Sequence, residues 1–217
     1  MRTVLMSVAA SLMAACVYVL FFMAPEEATQ PIEAAVDEGS VYERAYSPSI
    51  GPTDATVTIV EFFDPACGAC GAFYPFVKQI LAKHSNVRLV LRYATFHRGT
   101  PEVVRMLEAA RLQGVYLPVL EALMARQLEW TINHKAEFAL AEAIAVSAGY
   151  DKEAGAAQMV TPEMDKLLAQ EKADIRTLAV DKTPTFFVNE KPLPEFSGKH
   201  LYELVVSELG EPRPVSI

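Results

Sequence analysis

The chain holds 217 residues, 52% hydrophobic and 21% charged, with a formal net charge of -8 and a pI near 5.1. This length fits one domain with room for an insert or a tail, and the composition allows a sizeable core. No basic face is available to neutralise phosphates, which argues against a nucleic-acid partner, and three cysteines are too few for a disulfide-stapled scaffold.

Val4 to Ala24 carries no charge. As a helix rising about 1.5 Å per residue it spans roughly 30 Å, the thickness of a bilayer core. Residues 1–24 therefore read as a membrane anchor. Arg2 precedes the run and Glu26 and Glu27 follow it, so the positive end stays in the cytoplasm and the body lies outside. The alternatives are a cleaved signal and a lipid-anchored Cys16, at Met13-Ala14-Ala15-Cys16. All three export the chain to an oxidising compartment, where cysteines have chemical consequences.

Residues 25–50 are rich in Ala, Glu and Pro and read as a flexible acidic linker. Val57 to Phe63 is β-branched and aromatic and apolar on both faces, as a central strand covered on both sides requires. A helix is predicted from Cys67 to Ser85, with Phe73, Val77, Ile80 and Leu81 on one face and Pro75 inside it. A second strand, Val87 to Thr95, completes a βαβ unit with a parallel strand pair. From Thr100 to Ala179 the period is helical. Thr100-Pro101 opens one helix, Tyr116 to Gln127 forms a second and Asn133 to Ala148 a third, and Thr161-Pro162 opens a fourth. Trp130 is expected to pack within this lobe. Thr185 to Asn189 is a short strand, Lys191 to Pro194 an edge strand, and Ser197 caps a last helix that ends at Gly210.

Cys67 and Cys70 sit where the first strand gives way to a helix. A structural zinc site needs four ligands, and there is no second cysteine pair or closely spaced histidine pair. At a helix N-terminus, free N–H groups and the macrodipole favour a thiolate, so the Cys67 pKa should fall below the free value of about 8.5. Cys70 lies one turn deeper and is placed to act as a resolving partner. Glu61 alternates with Val57, Ile59 and Phe63, so a central strand buries it, and burial raises the pKa of a carboxyl. His97 reads as an ordinary loop histidine.

The run from Val60 to Cys70, the proline at 75, the helical insert and Thr183-Pro184-Thr185-Phe186-Phe187-Val188-Asn189 together resemble the thioredoxin fold, and within it the DsbA-like thiol–disulfide oxidoreductases. The resemblance covers roughly residues 51–210. It implies an α/β thioredoxin fold with an inserted helical lobe: residues 51–99 as the first part, 100–170 as the insert, and 171–217 as the second part and tail. It also implies that Pro184 is cis beside a Cys67–Cys70 disulfide, that the Thr183 backbone pairs with a bound substrate chain, and that Glu61 serves as a proton acceptor for Cys70. No cofactor is implied beyond that redox-active disulfide, and no metal. The implied partners are protein thiols or disulfides of the cell envelope and a membrane redox partner. The implied location is the periplasmic side of the inner membrane, either anchored or soluble after cleavage. Gly68-Ala69 differ from the Pro-His of the best-known oxidases, so the direction is not fixed by the motif. The expectation is an oxidase. A reductase or isomerase using the same pair is the near alternative, and a metal-binding or chaperone-like module is the distant one.

Overall fold

Strands β1 (Ser49–Ile50) and β2 (Val57–Phe63) lead into helix α1 (Gly68–Lys83) and strand β3 (Val87–Tyr93) in the computed structural model, which describes residues 39–210. A helical block follows: α2 (Thr100–Leu112), α3 (Tyr116–Ala125), the single turn α4 (Gln127–Trp130), a hairpin of β4 (Thr131–Ile132) and β5 (Lys135–Ala136), then α5 (Phe138–Ser147), α6 (Lys152–Gln158) and α7 (Pro162–Thr177). Strands β6 (Thr185–Val188) and β7 (Lys191–Pro192) and helix α8 (Gly198–Glu208) close the fold. The expected anchor in residues 1–24, Cys16 included, lies outside the described residues. Among the described residues no helix is long and apolar enough to cross a membrane.

The main sheet has the order β1-β3-β2-β6-β7. β2 and β3 are parallel, as the sequence predicts, with Glu61 opposite Leu91. β6 runs antiparallel on the other side of β2, with Glu61 opposite Phe186. The period-two pattern of β2 feeds two cores. Val57, Ile59 and Phe63 pack with Val77 and Ile80 of α1 and Leu201 and Val205 of α8. Val60 and Phe62 face the other way, towards Ile175, Val180 and Phe187. Covering both faces is what permits a strand with no polar side.

Three expectations are corrected. The linker reading fails for its last dozen or so positions. From residue 39 to residue 50 the chain lies against the sheet, with Glu43 on Arg88 through two 2.6 Å bonds, Arg44 on Asp174 at 2.7 and 2.9 Å, and Tyr42 edge-on to Phe187. Its acidic and basic residues are partners for charges elsewhere in the chain. The helix expected from Asn133 begins only at Phe138, because Asn133 and His134 adopt left-handed φ of 51° and 58° and form the turn of a hairpin. Thr100 is not the cap of α2. Gly99, at φ 81°, takes the cap position, and the Thr100 hydroxyl donates to Asp64 at 3.0 Å. Trp130 is fully buried in the helical block, its Nε1 donating to the Leu123 carbonyl at 2.9 Å.

Behind the sheet, Arg92 is fully buried. It donates to Glu171 at 3.0 Å, Asp174 at 2.6 Å and the Val41 carbonyl at 2.6 Å. Removing one member of such a cluster leaves a buried charge uncompensated. Arg92→Met is therefore expected to lower the unfolding free energy by about 3–5 kcal/mol. Urea denaturation measures it, and a midpoint equal to wild type would show that the cluster contributes no stability.

Candidate active site

β2 delivers the chain to Asp64-Pro65, and the turn that follows makes Cys67 the N-cap of α1, at φ -78° and ψ 115°. The Cys67 N–H donates to the Asp64 carbonyl at 2.9 Å, and the Cys67 carbonyl accepts the first helical bond, from Gly71 N–H at 3.1 Å. Cys67 is 8% exposed and Cys70 not at all, and both are free thiols. As a thiol, Cys67 Sγ donates to the Thr183 carbonyl at 3.3 Å. As a thiolate it is stabilised first by the Cys70 thiol, and further by the Thr183 side chain and the backbone N–H groups of Cys70 and Ala69. These outweigh its burial and lower its pKa to about 5. Cys70 goes the other way. Burial, its hydrogen bond to Cys67, and the charges of Glu61 and Cys67 push its pKa far up. Two thiols one helical turn apart thus have opposite preferences at neutral pH.

Glu61 is buried between β3 and β6, as its place in the strand predicts. Burial first, and the Cys67 charge second, raise its pKa to about 8. Its Oε2 is buried without a hydrogen-bond partner among the described residues. A carboxyl held neutral in that way is able to give or take a proton near neutral pH.

The Thr183–Pro184 peptide is cis, as the resemblance implies, and lies at the start of β6. The Thr183 carbonyl contact brings this loop against Cys67. A cleft of about 270 Å³ opens beside Pro184, lined by Thr185, Phe186, Leu193 and Phe196 among others. Phe73 of α1 closes the aromatic group, 5.3 Å from Phe186 and 4.9 Å from Phe196 between ring centroids.

Sequence reasoning missed two residues that grip this turn. Asp64 is fully buried and accepts from Ala66 N–H, Phe96 N–H and His97 N–H, each at 2.8 Å, besides the Thr100 hydroxyl. His97 Nδ1 also meets it at 2.9 Å, so His97 supports the turn that carries Cys67, where the sequence suggested an ordinary loop residue. Gln127, in the helical block, reaches the carbonyls of Pro65 and Cys67. Asp64 had a local signal, since Asp-Pro after a strand begins a turn. Gln127 had none, because its partners are distant in sequence.

A family model described as Thioredoxin matches residues 43–203. The chain is 28% identical to a thioredoxin-like oxidoreductase from Silicibacter pomeroyi DSS-3, with a TM-score of 0.67 over 82% of this chain and 96% of that one. It shares its fold with a variant of Wolbachia pipientis alpha-DsbA1, at 18% identity and a TM-score of 0.63, covering 76% and 90% of the two chains. The Na(+)/H(+) antiporter NhaA of Herminiimonas arsenicoxydans is 29% identical over 166 residues, which is 74% of this chain and 26% of the antiporter. The chain thus spans about a quarter or less of the length of the curated relatives it matches.

Proposed function

The chain belongs to the thioredoxin family, and on that premise we propose that it is a thiol–disulfide oxidoreductase, a DsbA-like oxidase of the cell envelope exchanging disulfides through Cys67 and Cys70. The observation that carries this reading is the opposed chemistry of the two thiols: a Cys67 pKa of about 5 beside a buried Cys70 that holds its proton. A stabilised Cys67 thiolate favours the reduced form of the pair, and a pair stable when reduced is an oxidant.

A substrate thiolate attacks Cys67 Sγ of the oxidised pair. The Cys67–Cys70 bond breaks, a mixed disulfide forms, and Cys70 departs with the electron pair. Glu61, protonated at neutral pH, supplies the proton that the buried Cys70 requires. A second substrate thiolate then attacks the substrate sulfur of the mixed disulfide and Cys67 leaves as a thiolate. The substrate has lost two electrons and the pair has gained them. A membrane redox partner takes the electrons back, and in that step the Glu61 carboxylate accepts the Cys70 proton. The Thr183 backbone and Pro184 hold the substrate chain beside Cys67. The uncharged run from Val4 to Ala24 supports a location on the periplasmic side of the inner membrane, and a tether there raises the local concentration of the partner.

The reduction potential of the pair tests the direction. A value near about -120 mV supports the oxidase and one near about -270 mV supports a reductase. Alkylation of thiols in intact cells is the companion measurement. An oxidase pair is recovered mostly as the disulfide, and recovery mostly as free thiols would reverse the assignment.

A further inference from the structure

Gln127 lies just past a break in the helical block, where Arg126 leaves helical geometry at φ -112° and ψ 23°. Its side chain is directed inward and the residue is 7% exposed. Nε2 donates to the Pro65 carbonyl at 2.7 Å and to the Cys67 carbonyl at 3.0 Å. One uncharged nitrogen with two hydrogens satisfies two carbonyls at once, which only the amide of Gln or Asn supplies from a side chain. The Cys67 carbonyl also receives Gly71 N–H, so both of its lone pairs are engaged.

Gly71 meets the amide from below. A Cβ at position 71 would fall 2.5 Å from Gln127 Oε1 and 3.0 Å from its carbonyl carbon. The absence of a side chain at 71 is therefore what lets the amide reach the redox turn. On the far side, Asp64 ties the same turn to the loop holding Phe96 and His97. The backbone around Cys67 is clamped from two directions, and one clamp comes from the inserted lobe.

We propose that Gln127 is a positioning residue for Cys67, holding its backbone so that the sulfur meets the donors that stabilise it as a thiolate, with Gly71 giving the amide its room. This rests on Cys67 being the exchanging thiol. Thiolate stability depends first on the Cys70 thiol, then on Thr183 across the site and on the N–H groups of Cys70 and Ala69, and the turn at Cys67 sets the sulfur against all of them. When the amide is lost, the two carbonyls lose their donor, the turn relaxes, and those contacts weaken. The titratable groups facing Cys67 are Cys70 and Glu61, and both stay in place.

The test is the titration of the Cys67 thiolate by its ultraviolet absorbance in the reduced full chain, with the redox equilibrium against glutathione as a second readout. Gln127→Met keeps the volume and removes both donors. It is expected to raise the Cys67 midpoint by roughly half a unit to one unit and to move the equilibrium several-fold towards the disulfide, the effect of losing about one net hydrogen bond. Gly71→Ala is expected to move both in the same direction, and the double variant no further than the larger single, as for residues acting through one contact. Gln127→Asn, one methylene shorter, should fall between wild type and Gln127→Met, and it decides the matter if Gln127→Met does not fold. A midpoint unchanged from wild type, with only the melting temperature lowered, or additive shifts in the double variant, would overturn the proposal. Because the titration needs no substrate, it separates this outcome from a failure of the exchange reading, which Cys67→Ser tests alone.

Discussion

Cys67→Ser is expected to abolish exchange, lowering the rate of disulfide formation in a reduced, unfolded reporter enzyme by a factor of roughly 10³ or more. Serine keeps the size and the turn, so the change isolates the sulfur. The thiolate is the nucleophile and leaving group of every step, and Cys70 is poorly suited to replace it, since Cys70 is fully buried and its thiol holds its proton. Cys70→Ser behaves differently. Cys67 remains able to attack a substrate disulfide, but the mixed disulfide formed in that way has no internal thiol to release it. Such a species accumulates as a band of higher mass that reductant removes. If Cys67→Ser retains a tenth of the wild-type rate, exchange does not pass through Cys67.

The second large effect is expected at Glu61. Its carboxyl titrates at about 8 against an ordinary 4.5, because burial and the Cys67 charge both oppose ionisation. Between those values the native chain keeps a proton that the unfolded chain has lost. The unfolded state then binds fewer protons, so stability falls as pH rises through that window, by about 1.4 kcal/mol per unit or about 3 kcal/mol in all by pH 7. Glu61→Gln carries no titrating proton at this position, and its unfolding free energy is expected to fall less steeply than that of wild type over the same range. The oxidised protein is the form to use; it lacks the Cys67 charge, so there burial alone raises the Glu61 pKa and the fall is smaller than with both causes acting. In the reduced protein Cys67, lowered from 9.0 to about 5, adds an opposite slope, gaining stability as pH rises. Glu61→Gln also removes the proton carrier for Cys70, and a loss of about tenfold or more in exchange rate is expected, within the lower range of general acid–base catalysis. A variant that is more stable near pH 7 and slower in exchange joins the two effects in one residue. Parallel stability curves for wild type and Glu61→Gln would show that Glu61 is ionised normally.

Much of the scaffold was legible because its signals are local. Val57 to Phe63 announces itself by being apolar on both faces, and such a strand needs a sheet covered twice over. Cys67 was readable as a helix N-terminus because a strand and a turn-forming Asp-Pro precede it. Ser197 was readable as a cap, and its hydroxyl accepts from His200 N–H at 3.1 Å. What escaped depended on partners far away in the chain. Thr100 looked like a cap, but a buried carboxylate 36 positions earlier takes its hydroxyl. Asn133 and His134 sit in a stretch of helical composition, and their left-handed turn is stabilised by a hairpin too short to show a strand period. Residues 39–50 looked unattached because they show no sustained apolar period, yet a few charges with buried or half-buried counterparts hold them to the sheet.

That last attachment has a geometric consequence. Tyr42 joins the core that holds Val60, Phe62 and Ile175, on the face of the sheet opposite the one that buries Cys70 and Val77. Arg44 is fastened there too, on Asp174 of α7. The described chain therefore begins at the back of the sheet, fastened there by Tyr42 and Arg44. The thiols and the aromatic cleft beside Pro184 belong to the other side.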